Sequence, residues 1–152
     1  MSVSLNPDFQ DFIRCFNTAH VDYIVVGGYA VIYYGSSRTT GDIDIWVRRS
    51  EENYDKITQA FRRFGMPVFD MTKDNFLHSN KIDVFSFGHP PVSIDILTNL
   101  KGLVFDEAFH HVVDAVWGDI SVKVLDLRDL IKAKKAAGRH KDLDDIDNIS
   151  TP

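Results

Sequence analysis

Apolar and polar positions alternate along the chain with two periods. Phe9, Phe12, Ile13 and Phe16 recur at helical spacing behind Asn6-Pro7, which predicts a helix with Pro7 at its first position. Tyr23–Val26 is a short β-rich run ending in Gly27-Gly28, a buried strand feeding a turn. Ala30, Val31 and Tyr34 can share a face, so residues 29–34 read as a helix. Residues 35–41 form a polar loop, and residues 43–47 the next strand. Tyr54, Ile57, Ala60, Phe61 and Phe64 give Glu51–Phe64 helical periodicity, and Gly65 stops it. Residues 81–87 and Val92–Leu97 read as two strands. Gly88-His89-Pro90-Pro91 between them favours a hairpin. A short helix is expected over 106–113, a turn at Trp117-Gly118-Asp119 and a strand over 120–125. Residues 126–137 are helical up to Gly138, and a last helix covers 141–149. Without regular strand–helix–strand alternation, the fold class is α+β, a mixed sheet flanked by helices with helices at the C-terminal end.

Length and composition narrow this picture. A chain of 152 residues, 44% of them hydrophobic, fits one domain over 1–152, with a core of about 20–125 and a helical segment of about 126–150. The net charge of −5 excludes a uniformly basic nucleic-acid-binding surface. The single cysteine, Cys15, excludes an internal disulfide. There is no apolar run of membrane-spanning length, and residues 1–8 lack the regions of a signal peptide, so a cytoplasmic, soluble protein with no membrane contact is expected.

The chemistry concentrates in one segment. Gly27-Gly28 is followed, after thirteen residues, by Asp42-Ile43-Asp44. Side chains one residue apart on a strand project to the same face, so Asp42 and Asp44 repel each other unless a cation joins them. Such a pair suits magnesium, a hard ion that shares its shell with substrate phosphates. Two glycines opening a helix let a phosphate approach free backbone N–H groups. The intervening loop carries hydroxyls and Arg38. A third carboxylate, Asp95, sits in Ser93-Ile94-Asp95-Ile96-Leu97, where an acid within an apolar strand needs a partner. Asp83 is a rival, on the polar face of its own strand, and reads as an edge or supporting residue.

Here the chain resembles the polymerase-beta-type nucleotidyltransferases. It does so through Val26-Gly27-Gly28, the thirteen-residue spacer, Asp42-Ile43-Asp44 and Asp95. Gly102 to Ala108, and the spacing of Asp129, Lys134, Arg139, Lys141, Asp142 and Asp145, are similar to small prokaryotic members of the abortive-infection and toxin type. The antibiotic nucleotidyltransferases are more distant. The likeness covers about residues 20–150. It implies transfer of a nucleoside monophosphate from an NTP to a hydroxyl on tRNA, protein or a small molecule. Two Mg2+ ions, for which Mn2+ can substitute, would be held by Asp42, Asp44 and Asp95, with Asp95 also able to take the attacking hydroxyl's proton. Gly27, Gly28, Ser36, Ser37 and Thr40 would meet the triphosphate, and Arg38 the leaving pyrophosphate. The resemblance also implies a toxin-like role, with an antitoxin-like partner or a homodimer completing the site. Drug modification, or a non-catalytic nucleotide-binding module, are the alternatives.

Lys132, Lys134, Lys135, Arg139 and Lys141 form a basic cluster, read either as a solvated helix end or as a source of phosphate ligands, Lys134 and Lys141 above all. Asp145 could pair with a lysine. The six histidines have no metal-site spacing and read as surface residues. Cys15 reads as a core residue, and Tyr29, Tyr33 and Tyr34 as either helix packing or the border of a base pocket.

Overall fold

The computed structural model describes residues 3–89 and 92–149. Among these residues, thirteen elements follow one another: α1 Pro7–Thr18, β1 Tyr23–Val26, α2 Gly27–Tyr33, β2 Asp42–Val47, α3 Glu51–Phe64, α4 Lys73–His78, β3 Val84–His89, β4 Val92–Leu97, α5 Phe105–Phe109, β5 Val113–Trp117, β6 Ile120–Val124, α6 Leu127–Ala137 and α7 His140–Asp147. The strands make one six-stranded mixed sheet in the order β3-β4-β2-β1-β6-β5. The hairpin pairs β3–β4 and β5–β6 and the central pair β1–β2 are antiparallel, whereas β2–β4 and β1–β6 are parallel. The fold is therefore α+β.

Each face of the sheet follows from the period-two alternation of its strands. Ile43 and Ile45 of β2, Ile94 and Ile96 of β4, and Phe85 and Phe87 of β3 are buried on one face. Phe61 of α3 meets the Phe87 ring at 4.9 Å, and Phe12 of α1 meets Phe61 at 5.4 Å, so α1 and α3 cover that side. Cys15 is buried on the same apolar side of α1. The other face carries Asp42, Asp44 and Trp46 on β2, and Trp46 is capped by the Phe105 ring of α5 at 5.1 Å.

Local chemistry sets the boundaries. Asn6 and Ser50 cap α1 and α3 through their side-chain oxygens, and Gly65 and Gly138 close α3 and α6 in the left-handed region. Four sequence expectations need correction. The strand expected over 81–87 starts only at Val84, because Ser79 Oγ accepts from the N–H groups of Lys81 and Ile82 and holds that stretch in a turn. The helix expected over 106–113 ends at Phe109, and Val113 instead pairs with Val124 as the first residue of β5. The helix α4, capped by Thr72, was not anticipated. Residues 29–34 and 141–149 shift toward the N-terminus, to Gly27–Tyr33 and His140–Asp147. Pro90 and Pro91 of the expected hairpin turn lie outside the described residues. No helix among the described residues is long and apolar enough to cross a membrane.

Candidate active site

The parallel pairing of β2 with β4 assembles the acids. Asp44 lies directly across from Asp95, and Asp42 directly across from Ser93. The Ser93 hydroxyl donates to Asp42 Oδ1 at 2.8 Å and lies 3.4 Å from Asp95 Oδ1. Burial, then the charge of Asp95 and a shared hydrogen bond with it, then Asp42, raise the Asp44 carboxyl to about 7, against the pull of Lys134. Below about pH 7, and without a cation, the Asp44 carboxyl therefore holds a proton. Among the described residues, no three carboxylate, imidazole or thiol groups have closed into a ligand cage.

The glycine turn fits around these acids. Gly27 has φ +66°, and a Cβ there would stand 2.0 Å from Asp44 Oδ2. A Cβ on Gly28 would come within 3.0 Å of Arg38 Nη2 and 3.1 Å of Thr40 Oγ1. Thr40 Oγ1 also accepts from Asp42 N–H at 3.2 Å, so the hydroxyl braces the entry to β2.

A cavity of about 320 Å³ opens between this edge and the C-terminal helices. Asp42, Asp44 and Asp95 line it together with Gly27, Gly28 and Thr40. Arg38, Lys134, Arg139 and Lys141 line it as well, and Leu97, Leu100, Leu130 and Ala133 supply apolar surface. Ser36 lies outside this cavity, in a neighbouring groove it shares with Arg38 and Lys141, and its hydroxyl accepts from Arg38 N–H. Ser37 is exposed and lines neither space. Asp83 is exposed, with its carbonyl engaged by Thr98 N–H at 2.9 Å, and takes no part in the cavity.

Two cations expected at the phosphates are already engaged. Arg38 Nη1 donates to both oxygens of Asp145 at 2.8 Å, and Lys134 Nζ donates to Asp145 Oδ2 at 2.9 Å and to Asp142 Oδ1 at 3.3 Å. Arg139 Nε adds a bond to Asp142 Oδ2 at 2.7 Å, which, with the charge of Lys134, holds the Asp142 carboxyl at about 2 despite its burial. Burial would raise Asp145, but the bonds from Arg38 and Lys134 bring it below the usual carboxylate value. Arg139 and Asp142 are the cavity residues that sequence reasoning did not select. In the sequence both carried the family resemblance, and Arg139 the basic cluster, with no site role assigned; their opposite charges at i, i+3 across the start of α7 are the local signal for the pair.

The other candidates are structural. Tyr29 and Tyr33 pack against Trp117 at 6.1 and 6.0 Å, and the Tyr34 hydroxyl donates to the Leu125 carbonyl at 2.7 Å. Trp117, expected to anchor a turn, is buried at the end of β5. All six histidines are exposed.

The profile of the family described as "Nucleotidyl transferase of unknown function (DUF2204)" matches residues 7–151. The chain belongs to this family. It is therefore a nucleotidyltransferase, and its expected signature, Gly27-Gly28 with Asp42, Asp44 and Asp95, falls within the matched span. No curated protein matches the chain.

Proposed function

We infer that this nucleotidyltransferase moves a nucleoside monophosphate from an NTP to an acceptor hydroxyl with the help of magnesium, and that the cavity of Asp42, Asp44 and Asp95 is where it does so. The observation that carries this reading is the direct apposition of Asp44 and Asp95 across the β2–β4 pair, beside a glycine turn shaped around Asp44.

The donor set fits a hard divalent cation. Three carboxylates face one space, and Asp44 is raised first by burial and then by the neighbouring charge of Asp95. The wall of the cavity carries four cationic side chains and four carboxylates, Asp142 included. A triphosphate, itself strongly anionic, is thus best accommodated with cations of its own. Magnesium, or manganese in its place, would supply positive charge at the α-phosphoryl group and acidify the acceptor hydroxyl.

The chain's own groups do the rest. In an in-line displacement the acceptor oxygen bonds the α-phosphorus, the bond to pyrophosphate breaks, and the acceptor proton passes to Asp95. Arg38, Lys134 and Lys141 line the same cavity and would neutralise the charge that grows on the leaving pyrophosphate. Gly27 and Gly28 keep side chains out of the path of the phosphates. Asp44, one strand from Asp95, keeps the local field negative enough to hold the cation.

The likeness to abortive-infection and toxin-type enzymes supports a cytoplasmic toxin-like role with tRNA or a protein hydroxyl as acceptor, and with an antitoxin-like partner or a second copy controlling the site. A polycationic drug as acceptor is less well supported, since the cavity is balanced in charge rather than acidic. Calorimetric titration of each NTP with magnesium into the wild type and Asp44→Ala tests the site. Binding that needs both magnesium and Asp44 is expected; binding that survives Asp44→Ala would overturn the assignment. The NTP so identified, labelled at its α-phosphate, should then mark a tRNA pool or protein hydroxyls in preference to an aminoglycoside.

A further inference from the structure

Asp145 stands behind the cations rather than inside the cavity. Its side chain is 6% exposed, and that of Lys134 is 10% exposed. Arg38 commits Nη1 to both Asp145 oxygens, while Nη2 points the other way, 3.0 Å from where a Gly28 Cβ would be. Among the described residues, Nη2 donates to no acceptor of its own. One edge of the planar fork is thus anchored, and the other faces the glycine turn and the space for phosphates. Lys134 is held in the same way by Asp145 and Asp142, yet remains close enough to Asp44 to oppose its raised pKa. Without Asp145, Arg38 would lose its ion-pair partner and be drawn toward Asp42, Asp44 and Asp95, and Lys134 would keep only its longer bond to Asp142 against the same pull. Cations that collapsed onto those acids would occupy the metal-binding oxygens and vacate the phosphate positions together.

We propose that Asp145 is a positioning residue that holds Arg38 and Lys134 away from the acids and aims them as a preformed clamp for a polyphosphate. The nucleotidyl-transfer reading enters only in naming the polyphosphate as that of an NTP. Coulomb's law alone predicts the opposite sign, because deleting a negative charge beside an anion site should raise anion affinity. The two possibilities are therefore separable.

The probe is inorganic triphosphate, titrated by calorimetry at low ionic strength and without divalent metal. Asp145→Asn is expected to weaken its binding about tenfold or more. In an Arg38→Ala background the same substitution should do much less, since one of the two cations it aims is gone. Equal or tighter binding by folded Asp145→Asn would overturn the proposal and make Asp145 a competitor for the cations. Should Asp145→Asn fail to fold, Arg38→Lys decides the matter. It keeps a cation for Asp145 but lacks the second edge of the fork, so it should retain the wild-type melting temperature and lose affinity; unchanged affinity sinks the idea. A wild type that binds no triphosphate also overturns it. A wild type that binds triphosphate with this dependence, yet never transfers a nucleotide, would overturn the transfer reading and leave the role of Asp145 standing.

Discussion

Gly27 and Asp44 share one space: a Cβ on the first would stand 2.0 Å from Oδ2 of the second. Gly27→Ala therefore meets two obstacles, a left-handed backbone at φ +66° and a carboxylate that cannot retreat without meeting Asp95. Gly138 has the same φ, but its nearest contact for a Cβ is the Lys135 carbonyl at 3.5 Å. Gly138→Ala should lose only the backbone share, about 1–2 kcal/mol in denaturant unfolding. Gly27→Ala should lose more than that and also abolish magnesium-dependent NTP binding.

Asp44 makes metal-free stability depend on pH in an unusual direction. Its carboxyl is raised from 3.8 to about 7, so between those values the folded protein holds a proton that the unfolded chain has released. The stability contributed by that proton is fully present below pH 3.8 and is lost as pH rises through about 7. Asp44→Asn removes this dependence. In chelator at pH 8 the variant should be more stable than the wild type by more than about 1 kcal/mol, and the gap should close near pH 4. Magnesium should restore the wild type, and increasingly so above pH 7, because the ion competes with the proton.

Ser93 connects Asp42 to Asp95 without being acidic itself. Ser93→Ala removes the hydroxyl that donates to Asp42 beside Asp95, so metal-free stability should fall by about 1 kcal/mol. Magnesium affinity, read by calorimetry, should weaken roughly tenfold, as is usual when a group orienting a ligand is lost. An unchanged magnesium affinity would mean that Ser93 only fills space.

Asp142 behaves in the opposite sense to Asp44. Its carboxyl is depressed from 3.8 to about 2 by Arg139 and Lys134, so its contribution is present above pH 3.8 and is lost as pH falls through about 2. Asp142→Asn should cost about 1.5–3 kcal/mol at pH 7, the usual worth of hydrogen bonds to charged groups. Urea unfolding of both proteins at pH 7 and near pH 2 checks this, with the difference disappearing in acid.

The acid half of the site was legible because it follows from alternation and short spacings. Asp42 and Asp44 share a face on any strand, and the apolar surroundings of Asp95 marked it as an acid in need of a partner. The cationic half was not legible in the same way. Nothing in the spacing of Lys134, Asp142 and Asp145 says that α7 folds back so that Asp145 is buried against Arg38, more than a hundred residues earlier. Two smaller misses share a cause. In Val113–Trp117 the buried positions are Ala115 and Trp117, but Val116 is 65% exposed, and an outward-facing valine hid the alternation of β5. The helix α4 has one buried anchor, Phe76, which is too little for a periodic signal.

The pairing of β2 with β4 also bears on how the protein folds. Asp42 and Ser93 are 51 residues apart, so the acids meet only when a distant strand docks in parallel, a step with a large loop-closure requirement. Until then β2 presents only Asp42 and Asp44 of the three acids that line the cavity. On the proposed reading the ion gains its third carboxylate only after docking, so its effect should fall mostly on escape from the native state. Magnesium should then slow unfolding many-fold while leaving the refolding rate nearly untouched, and the ion proposed for the chemistry would also be a kinetic lock on the fold.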